Sequence, residues 1–240
     1  MKRIKITILA LLTGLTLAGL SSCNFDCVEG SGHQQSEDRK VGEFSRISIS
    51  GGYKVILKQD SSFSLNISAD DNLLKYIKTN VSGGRLHIYN KRNFCNEGQI
   101  TIKVGVKNLD ELKASGAVEV ESDGAIHTGD FRLKLSGNTK ITMDLIAANV
   151  RSTGSGSTEL DLKGQASSHY IDLSGSGNVH AFDFVVGTCE IESSGAGESE
   201  INVLNSLSVH SSGASSVKYK GSPSSVTNSN SGASSVEKVN

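Results

Sequence analysis

Ser212-Gly213-Ala214-Ser215-Ser216-Val217 returns nineteen positions later, unchanged, as Ser231-Gly232-Ala233-Ser234-Ser235-Val236. A hexapeptide repeated at that spacing is the signature of a repeat architecture. Working toward the N-terminus, a small residue followed by Gly recurs at Ser115-Gly116, Ser136-Gly137, Thr153-Gly154, Ser174-Gly175 and Ser194-Gly195. The glycine intervals are 21, 17, 21, 20, 18 and 19, so the period is near 19.

Apolar residues keep step with the glycines. Leu112, Leu133, Val150, Ile171, Ile191 and Val209 stand four before them, and Val120, Ile141, Leu160, Val179, Ile201, Val217 and Val236 follow the turn. Inside one repeat the alternation has period two: Leu133 and Leu135 alternate with Arg132 and Lys134, and Ile141, Met143 and Leu145 with Thr142 and Asp144. Period two means a strand with one buried face. Each repeat therefore reads as strand, Ser-Gly corner, strand. One such unit cannot bury its apolar face alone, but parallel stacking of successive units can. The expected fold is an all-β, β-helix-like solenoid of ~19–21-residue repeats. A sandwich or barrel of hairpins is the alternative, and it would favour Asn-Gly or Asp-Gly turns over Ser-Gly.

The first half is looser. Phe44, Ile47 and Ile49 lead into Ser50-Gly51-Gly52, then Tyr53, Val55, Leu57 and later Phe63, Leu65, Ile67. Leu73, Leu74 and Ile77 predict one short helix over 70–78, capped by Asp70 or Asp71. Strands resume at 86–89 and 100–106. No linker composition separates the halves, so 44–240 reads as one domain.

Ahead of it, Lys2, Arg3 and Lys5 precede an apolar stretch from Ile6 to Leu20, and residues 1–22 read as a secretion signal. Leu20-Ser21-Ser22-Cys23 resembles the bacterial lipobox, which implies lipidation of Cys23 and membrane anchoring. The expected location is the cell envelope, outer membrane, periplasmic or surface-exposed. Residues 23–43 have little apolar periodicity and read as a tether.

The lipobox joins Ile49-Ser50-Gly51-Gly52-Tyr53-Lys54-Val55, Ala69-Asp70-Asp71-Asn72-Leu73-Leu74-Lys75-Tyr76-Ile77, Val81-Ser82-Gly83-Gly84-Arg85-Leu86-His87-Ile88 and the serial Ser-Gly corners. In that order these segments resemble the head GIN domain family of auto-transporter adhesins, common among Bacteroidetes lipoproteins, over about 44–240. The resemblance implies a right-handed β-helix-like fold with an envelope role, and it supplies no catalytic residues.

Net charge is −1, from 24 Lys and Arg against 25 Asp and Glu, which gives no basic face for nucleic acid. Beside Cys23 the cysteines are Cys27, Cys95 and Cys189. Cys189 falls on the apolar face as a buried thiol. Cys27 and Cys95 either form a disulfide pinning the tether or remain unpaired. No cysteine or histidine pair has metal-ligand spacing, and no metal or cofactor is expected. His180 and His210 fall at similar places in their repeats, a candidate surface column. Asp144, Asp161, Asp172, Asp183 and Glu192 are the outward acids that a polysaccharide-cleaving enzyme could use. Ser152, Ser193, Ser211 and Asn230 precede the corners by two and form a candidate polar, glycan-facing column.

The reading is a non-catalytic envelope lipoprotein for adhesion or surface interaction. Its partners would be the membrane through Cys23 and glycans or surface proteins. The alternatives are a carbohydrate-active lyase or hydrolase, and a structural protein that forms homo-oligomers through an end with no evident cap.

Overall fold

The computed structural model describes residues 26–239; the signal segment and Cys23 lie outside them. The chain is nearly all β, with one short helix and no closed barrel among the described residues. Twelve strands follow in order: β1 (Cys27–Glu29), β2 (Gln34–Asp38), β3 (Arg46–Gln59), β4 (Ser64–Asp70), then helix α1 (Asp71–Leu74), β5 (Ile77–Ser82), β6 (Arg85–Asn90), β7 (Asn93–Cys95), β8 (Thr101–Val106), β9 (Glu111–His127), the long β10 (Asp130–Lys220), β11 (Ser225–Gly232) and β12 (Ser235–Lys238).

Pairing between repeats is parallel. β3 pairs with β9 so that Ser50 and Gly51 meet Ser115 and Gly116, and β9 pairs with β10 so that these meet Ser136 and Gly137. At the far end β10 pairs with β11, matching Ser212 and Gly213 with Ser231 and Gly232. Within β10 the corner glycines touch in sequence. A Cβ on Gly156 would lie 2.6 Å from Gly137 O, one on Gly175 2.6 Å from Gly156 O, one on Gly195 2.1 Å from Gly175 O, and one on Gly213 2.3 Å from Gly195 O.

This column corrects one corner. The third repeat of the series turns at Gly156 and not at Gly154: Gly156 has φ +93 and abuts Gly137, whereas Gly154 has no positive φ and faces the side chains of Leu173 and Thr158. With Gly156 in place the intervals become 21, 19, 19, 20, 18 and 19, more even than the spacing alone indicated. Two Ser-Gly-like steps two residues apart made the register ambiguous. The residue before the corner is then serine in every repeat: Ser50, Ser115, Ser136, Ser155, Ser174, Ser194, Ser212 and Ser231.

The core runs the length of the stack as aliphatic columns. Leu112, Leu133, Ile171, Ile191 and Val209 occupy one register position and are at most 1% exposed. Burial of this kind contributes about 25 cal/mol per Å² of apolar surface. The corrected register puts Ser152, fully buried, between Leu133 and Ile171, and puts His169 and Cys189 in the neighbouring column between Val150 and Leu207.

The first half differs. β4 pairs antiparallel with both β2 and β8, and β5 pairs antiparallel with β6, while β6 and β8 pair parallel with β3. Two expectations change here. Residues 27–43 are not a bare tether, because β1 pairs with β7 and β2 with β4. Every side chain of β2 is exposed, so no hydrophobic alternation marked it. The expected helix stops at Leu74, since Ile77 is already paired with Asn90 in a strand. Asp70 stands at the N-cap with no side-chain cap bond; its buried carboxylate instead accepts from the Gly32 N–H (3.2 Å) and Gln34 Nε2 (2.6 Å).

The last repeat differs from those before it in its inward positions. Asn228 and Asn230 stand in register with Val209 and Ser211, and Lys238 with Tyr219. Polar residues at positions that are apolar elsewhere end the core, as a terminal capping repeat does.

Candidate functional site

Three surfaces follow from the register. The first is the ridge of corner serines. Most are exposed, Ser115 and Ser136 being half-buried. Ser115 Oγ donates to Ile49 O at 3.3 Å and Ser174 Oγ to Gly154 O at 3.4 Å, so hydroxyls bond along the stack.

The second surface lies just past the corner and alternates in charge from repeat to repeat. Lys54 is followed by Glu119 and Glu121, then Lys140, then Glu159 and Asp161, then His180, then Glu198 and Glu200, then Lys218. Lys54 Nζ lies 2.8 Å from Glu121 and 3.9 Å from Glu119. Lys140 Nζ lies 2.7 Å from Glu159 and 3.6 Å from Asp161. Lys218 pairs with Glu198, and His180 Nδ1 sits 3.1 Å from Glu200. Hydrogen bonds to Glu121, Glu159 and Glu198 respectively hold the three lysines above the ordinary lysine range.

Glu159, Asp161 and His180 are the group among the described residues whose ligand atoms could reach a common metal ion, all within 4.8 Å of one another. Lys140 already holds both carboxylates, so the trio works as a rung of the ion-pair ladder. His180 stands where the pattern calls for a lysine.

The third surface precedes the corner. Burial would raise the Glu111 carboxyl, but hydrogen bonds from Arg85 (2.5 Å) and Lys134 (3.2 Å) outweigh it and leave it below the ordinary range. Farther along, Arg151 stacks over the Tyr170 ring at 3.8 Å. Two open depressions flank the ridge here, of about 270 Å³ beside Lys134 and Asp172 and about 420 Å³ beside Glu192 and His210.

The acids singled out as catalytic candidates are spread among these surfaces. Asp161 is paired with Lys140. Asp172 lines both depressions and Glu192 one, while Asp144 and Asp183 are exposed. General acid–base cleavage needs two carboxylates facing each other across a bond. Glu159 and Asp161 instead share one strand and one lysine. His180 and His210 do not form a column, since one follows its corner and the other precedes it. The expected polar column does not form: Ser152 falls in the Leu133 register and is hydrogen-bonded to His169 Nε2 at 2.9 Å, Ser211 is buried and bonded to Ser215, Ser193 is half-buried and Asn230 is exposed. The outward hydroxyls are those one residue later.

Ser152 and His169 were not legible as a pair, because the corner at Gly156 was needed to align them. Burial pushes the His169 imidazole down to about 3 and, with Glu190 adding, the Cys189 thiol up to about 12. A low-pKa imidazole and a high-pKa thiol are structural neutral groups, unlike an activated nucleophile. Cys27 and Cys95 form a disulfide, Cα–Cα 5.8 Å. Among the described residues no helix is long and apolar enough to cross a membrane.

No curated protein matches the chain. Solved structures do. A "putative adhesin" from Bacteroides fragilis superposes with a TM-score of 0.84 at 21% identity, covering 88% of this chain and all of its own. A "putative adhesin" from Parabacteroides merdae gives 0.68 at 22%, covering 90% of this chain and all of its own. A "putative lipid binding protein" from Parabacteroides distasonis gives 0.67 at 22%, covering 89% of this chain and 99% of its own. These likenesses concern the fold. The sequence itself matches the family described as "Putative auto-transporter adhesin, head GIN domain" over residues 43–223, and the chain belongs to that family.

Proposed function

We propose that this is a non-catalytic lipoprotein of the cell envelope, held in the outer membrane by lipid on Cys23, whose parallel repeats form a right-handed β-solenoid used for adhesion or surface interaction. One observation carries the reading. The serine ridge repeats with every strand, about 4.8 Å apart, and the flanking charge ladder with every second strand, beside open depressions. A periodic surface suits a periodic partner such as a glycan chain, met by many weak contacts in place of one deep pocket. Membership in an adhesin-described family supports the same role.

The test is a glycan and host-matrix array probed with the mature chain, run beside a polysaccharide degradation assay. Binding without cleavage supports the reading. Cleavage that is lost in Asp172→Asn/Glu192→Gln, the acids lining the depressions, would replace it with the enzyme alternative. Radiolabelled fatty acid incorporated into the wild type and absent from Cys23→Ser checks the anchor.

A further inference from the structure

The described chain enters the fold at one end of the stack through a surface of mixed charge: Glu29 lies in β1 with Asp26, Asp71 and Glu97 nearby, while lysines and tyrosines gather on the β5–β6 side, where Lys75 and Lys78 share a depression with Glu37 and Asp71. β1 is joined to β7 by the Cys27–Cys95 disulfide, and just ahead of β7 stand Lys91 and Arg92, both exposed. The Lys91 N–H bonds Tyr76 O at 2.9 Å, which brings in Tyr76 and Lys75, whose ammonium lies 5.1 Å over the Tyr76 ring. Lys78 is in register with Tyr89, which is 44% exposed. Arg92 pairs with Asp26 at 2.7 Å, leaving Lys75, Lys78 and Lys91 without a carboxylate partner among the described residues. Lysines interleaved with the exposed Tyr89 and the half-buried Tyr76 match the chemistry of a bilayer interface, where the rings sit at headgroup level and the cations meet lipid phosphate.

We propose that this patch rests on the headgroups of the membrane that carries the anchor, so that the disulfide holds the stack upright with its last repeat pointing away. The proposal rests on lipidation of Cys23. Four residues of fully extended chain span at most about 14 Å, so Cys27 is within that reach of the acylated residue. The last repeat is far beyond it. From β6 there is one strand step to β3, one to β9 and six more to β11, about 38 Å at 4.8 Å each.

The experiment uses the lipidated mature protein in phosphatidylethanolamine/phosphatidylglycerol vesicles carrying a headgroup nitroxide lipid. A fluorophore is placed at Asn80→Cys, beside the patch, or at Ser229→Cys in the last repeat. Quenching several-fold stronger at residue 80 than at residue 229 is expected. That difference should shrink in Lys75→Glu/Lys78→Glu/Lys91→Glu and in Cys27→Ser/Cys95→Ser, both checked for retained far-UV circular dichroism. Equal quenching at the two sites, with lipid on Cys23 verified by intact mass, overturns the orientation and leaves the anchor standing. A chain found without lipid on Cys23 overturns both.

Discussion

The repeats after Asp110 and the segment before it solve the same problem, closing a β core, by different means. In the repeats each strand pairs with its equivalent, the corner glycines stack, and one charged rung answers the next. Before Asp110 only β3 follows the repeat, its Ser50-Gly51 corner meeting Ser115-Gly116. Antiparallel β2, β4 and β5 end the stack, and the parts are fixed by single devices. These are the disulfide, the buried Asp70 carboxylate, and Arg39, whose guanidinium donates to Leu74 O at 2.9 Å and Ile77 O at 2.7 Å. Many equal contacts make a stack tolerant of change at any one surface position, whereas a cap held by unique contacts depends on each of them.

The largest effect should come from the corner column. Gly156→Val puts a branched Cβ into a backbone with φ +93 and 2.6 Å from Gly137 O, so a loss of about 4 kcal/mol is expected in denaturant unfolding. Gly154→Ala meets only side chains, Leu173 Cδ2 at 2.7 Å and Thr158 Oγ1 at 3.0 Å, and should cost about 1–3 kcal/mol. The reverse order would mean that the register assigned to this repeat is wrong.

Next comes the cap. Cys27→Ser/Cys95→Ser opens a crosslink spanning 68 residues and should lower stability by about 2–4 kcal/mol. Hydrogen exchange should rise in β1 and β7 and stay unchanged in β10. Equal loss of protection throughout would remove the distinction between cap and stack.

The third effect is acid sensitivity inside the stack. His169 is held neutral down to about 3, below the ordinary histidine value near 6.5. From pH 6.5 downward the unfolded chain takes up a proton that the folded chain refuses. Stability therefore falls with falling pH, by up to about 1.4 kcal/mol per unit, until pH reaches about 3. Ser152→Ala/His169→Leu should flatten that limb between pH 6.5 and 4, read from urea midpoints. An unchanged slope would place the acid sensitivity elsewhere. The smallest effect belongs to the ladder: Lys140→Met removes one exposed rung and should shift Tm less than any change above, since exposed ion pairs contribute little.

The repeats were legible because period two within a strand and a period near nineteen between strands reinforce each other over six intervals. Only the Gly154–Gly156 ambiguity displaced one corner, and with it the partnership of Ser152 and His169. The charge ladder was hidden for the same reason, since Lys140 and Glu159 become neighbours only once the register is known. The cap was less legible. β2 is exposed on both faces, and Leu73, Leu74 and Ile77 fit a helical spacing although Ile77 belongs to β5. Hydrogen bonds from side chains such as Gln34 and Arg39 leave no period to find.

The central claim is that successive repeats advance one strand spacing along a single axis. Pulsed electron–electron resonance with spin labels at Ser115 paired in turn with Ser194, Ser212 and Ser231 measures it. Four, five and six steps along the serine ridge predict backbone separations of about 19, 24 and 29 Å, rising by one strand spacing per repeat. A Ser115–Ser231 separation no longer than Ser115–Ser194 would contradict the stack.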